Sequence, residues 1–491
     1  MLFQRVNGGC QFTNSKFISR RAFLKSTAAF FTVSAVSRNL LAKENKPSSK
    51  PNIVLIMADD IGYECYGAYG SEFYKTPNID KLAREGARFD HAYSEPLCTP
   101  SRVKIMTGRY GLRAYTSFYN LDLSQPTFAK MVKKNGYRTA IAGKWQLSPG
   151  NFQGPFEAGF DEYMLWNFQD KAPRYRSPTL YKNGKRVEGT KDKYGPELAS
   201  DFICDFIERN KDKPFVAYYP MIHVHSPFDP TPDSPDWNKN LRRRNIEKFR
   251  DMVKHMDKMI GKIVRKLEET GLREETLIMI TGDNGTGQAI ISPLPGRGYV
   301  YGGKGYPTDA GTHVGFVANW PGVIQPGTVV DSPIDFGDVL PTIAEVTGSK
   351  VPENTDGTSF FDLMKGDESN ARGWTFLSSG SLKRGFHCWV RTQDWKLYSD
   401  GRLFKAGDDV MEENPLKGPE TDPIRKKLQK IMDDILAKFP DKKIVREPRN
   451  LTQITHQIKP GDYPEMEKQG LIKFYERDEV KKARKAIVSP E

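Results

Sequence analysis

The chain has 491 residues, of which 38% are hydrophobic and 11% aromatic, and its mean hydropathy is −0.60. That composition excludes a disordered, a collagen-like and a polytopic membrane protein, and the length suits one large α/β domain with a smaller one beside it. Lysine and arginine outnumber the acids 74 to 61, a net charge of +13 that favours polyanionic partners without separating nucleic acid from sulfated or uronic polysaccharide, and the five cysteines (Cys10, Cys65, Cys98, Cys204, Cys388) form no CxxC pair, so a disulfide framework is not the main source of stability.

In chain order, Ser19-Arg20-Arg21-Ala22-Phe23-Leu24-Lys25 comes first and precedes an apolar stretch from Ala28 to Val36. Paired arginines before a short, moderately hydrophobic run match a twin-arginine export signal, expected over residues 1–42 with cleavage near Ala42. The run is too short to span a bilayer. The expectation is passage through the twin-arginine export machinery to the periplasm, or secretion beyond it, with no stable membrane insertion of the mature chain. A polar linker, Lys46 to Pro51, leads into Asn52–Met57, an apolar run that reads as a strand buried on both faces. Thr76 to Phe89 reads as a short helix with Pro77 at its start and Gly86 near its end. Further strands are expected at Thr139–Ala142, Pro214–Ile222, Thr276–Ile280 and Gly315–Trp320. Helical patterns lie between and beyond them at Gln125–Asn135, Glu197–Asn210, Asn245–Thr270 and Asp335–Thr347. Alternating strands and helices predict an α/β fold, a large mixed, mostly parallel sheet sandwiched by helices. After Gly373 the texture changes to short antiparallel strands at Trp374–Ser378, Cys388–Arg391 and Trp395–Tyr398. A charged helix, Pro423–Phe439, and a Lys-rich tail from Lys459 to Glu491 follow. The expected organisation is a catalytic domain over 50–372 and a smaller C-terminal α+β subdomain with its tail over 373–491.

Ligands of an open α/β sheet sit outside the carboxyl ends of its strands. The first apolar run ends in Asp59-Asp60, the run from Thr139 in Lys144, the run from Pro214 in His223 and His225, and the run from Thr276 in Asp283-Asn284. A single aspartate at such a place is commonly a helix cap; two adjacent pairs, each directly after a buried run, are harder to explain that way. Oxygen ligands without a cysteine or histidine cluster suit a hard divalent cation, calcium or magnesium, with Asp59, Asp60, Asp283 and Asn284 as candidate ligands. Arg102, Lys144, Lys304 and His225 can offset the remaining negative charge beside an anionic substrate. Between Ser94 and Tyr110 lies Cys98, just before a proline-started helix and one turn from Arg102. That setting lowers a thiol pKa and favours anions, with a partly buried structural cysteine as the alternative.

Cys98-Thr99-Pro100-Ser101-Arg102, followed by Thr107-Gly108-Arg109, resembles the signature of the type I sulfatases in the alkaline phosphatase superfamily. The resemblance runs in order through Asp59-Asp60, Gly143-Lys144-Trp145, His225-Ser226-Pro227, Gly282-Asp283-Asn284-Gly285, Gly302-Gly303-Lys304-Gly305, Asp309-Ala310-Gly311 and Trp320-Pro321-Gly322. It covers about Pro51 to Lys365, and Val390–Tyr398 is similar to the family's C-terminal subdomain. The resemblance implies that Cys98 is oxidised to formylglycine (3-oxoalanine) by a maturation enzyme, and that one hydroxyl of the hydrated aldehyde attacks sulfur while the second allows sulfate to leave. It implies one calcium ion on Asp59, Asp60, Asp283, Asn284 and modified Cys98, with Arg102 orienting the hydrate. Lys144, Lys304 and His225 would bind sulfate, His225 or Lys304 would protonate the leaving alcohol, and His313 would be a substrate contact. His223 is left between a supporting and a packing role.

One position departs from the family pattern. Gln146 stands where members commonly carry a histidine associated with regenerating the aldehyde, and an amide is no base near neutral pH. The expected protein is an exported, calcium-dependent sulfatase acting on a sulfated saccharide, an algal polysaccharide or glycosaminoglycan fragment, probed from a chain end, with no nucleic-acid partner. The region Ile291–Tyr306 is a candidate rim of its pocket. The alternatives are an arylsulfatase or a phospho- or phosphonate-ester hydrolase on the same scaffold, and a non-catalytic binder of sulfated glycans.

Overall fold

The computed structural model describes residues 50–445, apart from short breaks at 167, 169–171, 239–245, 289, 295–297, 408, 410–411 and 413. The export signal and the Lys-rich tail lie outside the described residues. Strand β1 is Asn52–Ala58, and all of it is buried. Ile53, Leu55 and Met57 enter one apolar core while Val54, Ile56 and Ala58 enter another, as the two-residue period of a strand covered on both faces requires. The other main strands are β2 (Ala87–Tyr93), β3 (Arg138–Lys144), β4 (Glu162–Trp166), β5 (Phe215–Pro220), β6 (Thr276–Gly282), β7 (His313–Asn319) and β8 (Thr328–Val330).

Their order across the sheet is β8-β2-β7-β6-β1-β5-β3-β4. β1 runs parallel to β5 and β6, and β3 parallel to β4 and β5, whereas β7 is antiparallel to both β2 and β6. The sheet is therefore mixed and mostly parallel, as expected. Its topology brings the ends of β1, β2, β3, β5 and β6, together with the start of β7, to a single edge.

Helices α1 (Pro77–Arg84), α2 (Cys98–Thr107), α3 (Phe128–Lys134), α4 (Gly195–Arg209), α5 (Ile246–Glu269) and α6 (Val339–Thr347) cover the two faces. α1, α4 and α5 share one core, and α2, α3 and α6 share the other. In α5, Phe249, Met252, Val253, Met256, Ile260, Ile263 and Leu267 recur at helical spacing and are buried. A second, antiparallel sheet follows, of β9 (Thr375–Ser381), β10 (Gly385–Arg391), β11 (Trp395–Tyr398) and β12 (Leu403–Lys405), with α7 (Asp422–Leu436) beside it. Phe376, Val390, Leu428 and Met432 join the same core as α2.

Three local readings are corrected. The helix expected over Thr76–Phe89 stops at Arg84, and β2 begins at Ala87, because Gly86 lets the chain pass so close to β7 that a Cβ there would lie 2.4 Å from the Ala318 carbonyl oxygen. The helix expected from Gln125 starts at Phe128, where the Thr127 hydroxyl accepts from the Lys130 amide at 3.1 Å. The helix expected from Asp335 starts at Val339, after a capping box between Asp335 and Asp338. Strand β4 went unpredicted.

Candidate active site

The edge where those strands end carries the polar residues. Asp59 and Asp60 directly follow β1, Asp283 and Asn284 follow β6, and Lys144 is the last residue of β3. Two glycines permit this closeness. A Cβ on Gly143, whose φ is 114°, would lie 2.1 Å from the Pro220 carbonyl oxygen, and one on Gly282 would lie 2.0 Å from that of Ile61. Asp60 itself adopts a left-handed φ of 61°, and its amide donates to Asp283 Oδ1 at 3.0 Å. β2 delivers the chain to the same edge, and α2 then begins with Cys98 itself rather than after it. Arg102, four residues on, lies on the same helix face as Cys98.

The side chains interlock. Lys144 Nζ donates to both oxygens of Asp59, at 2.9 and 2.7 Å. Arg102 donates to Asp283 Oδ2 at 2.9 Å and to the Lys144 carbonyl at 3.3 Å. Lys304 Nζ donates to Asp60 Oδ2 at 2.5 Å, and His225 Nε2 lies 3.5 Å from the same oxygen. Asn284 Nδ2 donates to Asp60 Oδ1 at 2.9 Å, while its Oδ1 is buried without a hydrogen-bond partner. The Cys98 thiol donates to Gln146 Oε1 at 3.3 Å. The nucleophile candidate, both acid pairs and the four basic groups are thus one cluster.

The donor set fits a hard divalent cation. Asp59, Asp60 and His225, and likewise Asp59, Cys98 and Asp283, offer ligand atoms within 4.8 Å of one another. The unpartnered Asn284 Oδ1 is a further oxygen of the kind such an ion takes. Three carboxylates face Arg102, Lys144 and Lys304, so a dication would leave those cations surplus charge for an anion.

Burial and neighbouring charge set the protonation states. Burial raises the carboxyl of Asp59, but Lys144, His225 and Arg102 outweigh it and hold the group well below the usual carboxylate range. Asp283 is pushed up to about 7 by burial and by the charge of Asp59. Burial pulls His225 down to about 4 despite Asp60 and Asp59, so the ring is neutral near pH 7. The Cys98 thiol is raised by burial, which Lys144 and Lys304 do not overcome. This overturns the expectation of a lowered thiol pKa: a residue 2% exposed is too desolvated to ionise easily.

Two predicted candidates lie outside the cluster. His313 stacks on Tyr63 with ring centroids 4.0 Å apart, and its Nε2 is 2.9 Å from the Asp90 carbonyl oxygen. His223 is fully buried among Tyr175, Tyr194 and His255, with neither ring nitrogen hydrogen-bonded. Sequence reasoning missed Arg174, whose guanidinium lies over the Trp166 ring at 4.1 Å and whose Nη1 is 3.0 Å from His225 Nδ1. That nitrogen is also 2.7 Å from the Ser226 carbonyl oxygen. Accepting from Arg174 leaves the proton of the neutral ring on Nε2, whereas donating to Ser226 removes it from there. Arg174 stands in a loop past β4, where no strand end or motif marks it.

At the carboxyl edge of an α/β sheet, the described residues thus gather an oxygen-rich, cation-lined cluster that could hold a metal ion beside an anion. The sulfatase family model matches residues 51–349, and the chain belongs to the sulfatase family. It is 29% identical to a mouse (Mus musculus) steryl-sulfatase over 416 residues, 65% of each chain, so the match spans just under two thirds of that relative. It is 26% identical to rat (Rattus norvegicus) arylsulfatase G over 504 residues, 84% of this chain and 94% of the relative. Among solved structures, Ps i-CgsB in complex with k-i-k-neocarrahexaose aligns at a TM-score of 0.68 and 24% identity, covering 87% of this chain and 98% of that one. A protein solved with its substrate D-glucosamine-2-N,6-O-disulfate aligns at 0.65 and 21%, covering 80% and 98%. These structural likenesses show the shared fold.

Proposed function

We propose that the protein hydrolyses the sulfate ester of a sulfated carbohydrate, at a formylglycine made from Cys98. The observation that carries this reading is the placement of Cys98 in the first turn of α2, against Gln146 and ringed by Asp59, Asp283, Lys144 and Lys304. A buried, un-ionised thiol is a poor nucleophile as it stands, which supports its conversion by a maturation enzyme.

Asp59, Asp60, Asp283, Asn284 and residue 98 would hold a calcium ion, which when bound polarises an oxyanion and favours the ionised form of a nearby hydroxyl. Arg102, fixed by Asp283 and the Lys144 carbonyl, orients residue 98. Lys144 and Lys304 hold sulfate oxygens, positioning sulfur for in-line attack. His225, protonated at Nε2 while Arg174 donates to Nδ1, is placed to give a proton to the departing oxygen, with Lys304 as the other donor on that side. Gln146 keeps residue 98 aimed by hydrogen bonding, so the proton lost when sulfate leaves goes to another group. His313 takes no part in this reading, since Tyr63 and Asp90 occupy its ring.

A carbohydrate leaving group is supported by the net charge of +13 and by the saccharides held by structural neighbours. Action on a chain end and export by the twin-arginine route to the periplasm belong to the same proposal. Arylsulfatase relatives and a neighbouring phosphonate monoester hydrolase of Agrobacterium radiobacter favour an aryl sulfate or phosphonate ester as the second reading. The test is a hydrolysis panel of sulfated saccharides, an aryl sulfate and a phosphonate ester, using protein coexpressed with a maturation enzyme. The highest kcat/KM is expected for a sulfated saccharide; a higher value for the phosphonate or aryl ester overturns the carbohydrate assignment.

A further inference from the structure

Phe118 and Tyr119 are 38% and 36% exposed, although large aromatic side chains are usually well covered. Their rings meet edge to face with centroids 4.6 Å apart, so each braces the other in one orientation. The loop that carries them is tied to the catalytic centre at both ends. The Tyr119 amide donates to Thr99 Oγ1 at 3.4 Å, next to Cys98, and the Leu121 amide donates to the Leu147 carbonyl at 2.8 Å, next to Gln146. Within the loop, Asn120 Nδ2 donates to Thr116 Oγ1 at 2.8 Å and the Asn120 amide to the Ser117 carbonyl at 3.3 Å. Tyr119 also sits at a φ of 67°, a left-handed conformation that bulky residues seldom adopt. Strain of that kind persists where the surrounding contacts impose it, and it gathers at ligand sites.

From this juxtaposition we infer that Phe118 and Tyr119 form a stacking platform for the sugar ring next to the sulfated one, an inference resting on the carbohydrate reading above. Depth decides which ring it is. Sulfur must reach Cys98, which is 2% exposed, whereas the aromatic pair lies on the surface one residue's hydrogen bond away. A saccharide with its sulfate at residue 98 would carry its next ring outward, and the pair is the exposed aromatic surface whose loop is tied to Thr99 beside that residue. The C–H face of a pyranose is apolar and flat enough to lie on an aromatic ring, and the hydroxyls at its edge stay in water.

The test compares a sulfated monosaccharide with the disaccharide that carries the same sulfate, of a sugar the parent enzyme turns over. The variant is Phe118→Ala with Tyr119→Asn, since asparagine accepts a left-handed backbone without supplying a ring. The disaccharide KM is expected to rise about tenfold, the size of one lost stacking contact, with kcat and the monosaccharide KM unchanged. Tyr119→Phe keeps the ring and is expected to retain the parent KM. An unchanged disaccharide KM overturns the platform while leaving the sulfatase reading intact, and so does an equal rise for both sugars. A parent enzyme that turns over aryl sulfate but no sulfated saccharide overturns the carbohydrate reading and the platform together.

Discussion

Asp60 occupies a backbone conformation that glycine takes easily and aspartate seldom does, with φ at 61°. In return its amide binds Asp283, its Oδ1 receives Asn284, and its Oδ2 faces Lys304 and His225. Consecutive strand residues point to opposite faces, so this turn is what lets two adjacent carboxylates serve one centre. Both offer ligand atoms to a group that could hold a metal ion, the role proposed for them above. Dialysis of the matured enzyme against a calcium chelator is expected to lower kcat/KM by about a hundredfold or more, with calcium restoring it better than magnesium. Measurement of bound metal and activity on the same samples checks this; undiminished activity in metal-free protein contradicts the ligand assignment. At position 146, Gln146→Leu removes the acceptor of the residue 98 contact and is expected to lower kcat about tenfold while KM stays near the parent value, read from steady-state kinetics.

Helix α2 begins with Cys98, and a buried ionic network anchors it through Lys104. Lys104 Nζ lies 3.0 Å from Asp335 and 3.3 Å from Glu95, and it donates to the Phe376 carbonyl of β9 at 2.9 Å. Glu95 in turn accepts from the Ser378 amide at 3.1 Å. Asp335 holds Lys104 the more closely, and burial pushes the Glu95 carboxyl up to about 7. The folded state therefore keeps a proton that the unfolded chain releases near pH 4.5, so stability falls as pH rises from about 4.5 to 7. For one buried group this amounts to about 3 kcal/mol. Glu95→Gln cannot titrate and is expected to lose that part of the slope, seen as a smaller drop in urea midpoint between pH 5 and pH 8 than in the parent. An unchanged slope contradicts the assignment.

The elements themselves were legible to different degrees. β1, β5 and β6 are continuous apolar runs, and the acid pairs stand directly at the ends of β1 and β6, so both the buried sheet and its ligands could be read from the chain. β2 alternates buried positions with Arg88, Asp90 and His91, and its weak apolar signal was absorbed into the preceding helix. Arg174, the Gln146 contact and the left-handed turns at Asp60 and Tyr119 depend on loop geometry, which leaves no periodic trace in a sequence.

Across the whole molecule, the clustered polar groups come from distant segments and meet because the strands that Asp59, Asp60, Lys144, Asp283 and Asn284 follow or close end at one edge. The antiparallel sheet reinforces that edge from outside. Asp309 pairs with Arg391 at 2.9 Å, its amide donates to Glu412 at 3.0 Å, and Glu412 receives Lys396 at 2.7 Å. This second network holds the segment just after Lys304, as the first holds the helix just after Cys98. Both pass through residues on β9, β10 or β11, so the C-terminal sheet supports the segments that carry Cys98 and Lys304 together. Paired buried charges of this kind are costly to break, about 3–5 kcal/mol when one partner is removed.

All of this architecture converges on the chemical state of residue 98. Mass analysis of the tryptic peptide Phe89–Arg102, prepared from the native host, measures that state directly. An aldehyde or its hydrate is expected at position 98; a free thiol there, in protein that hydrolyses sulfate esters, would overturn the formylglycine reading.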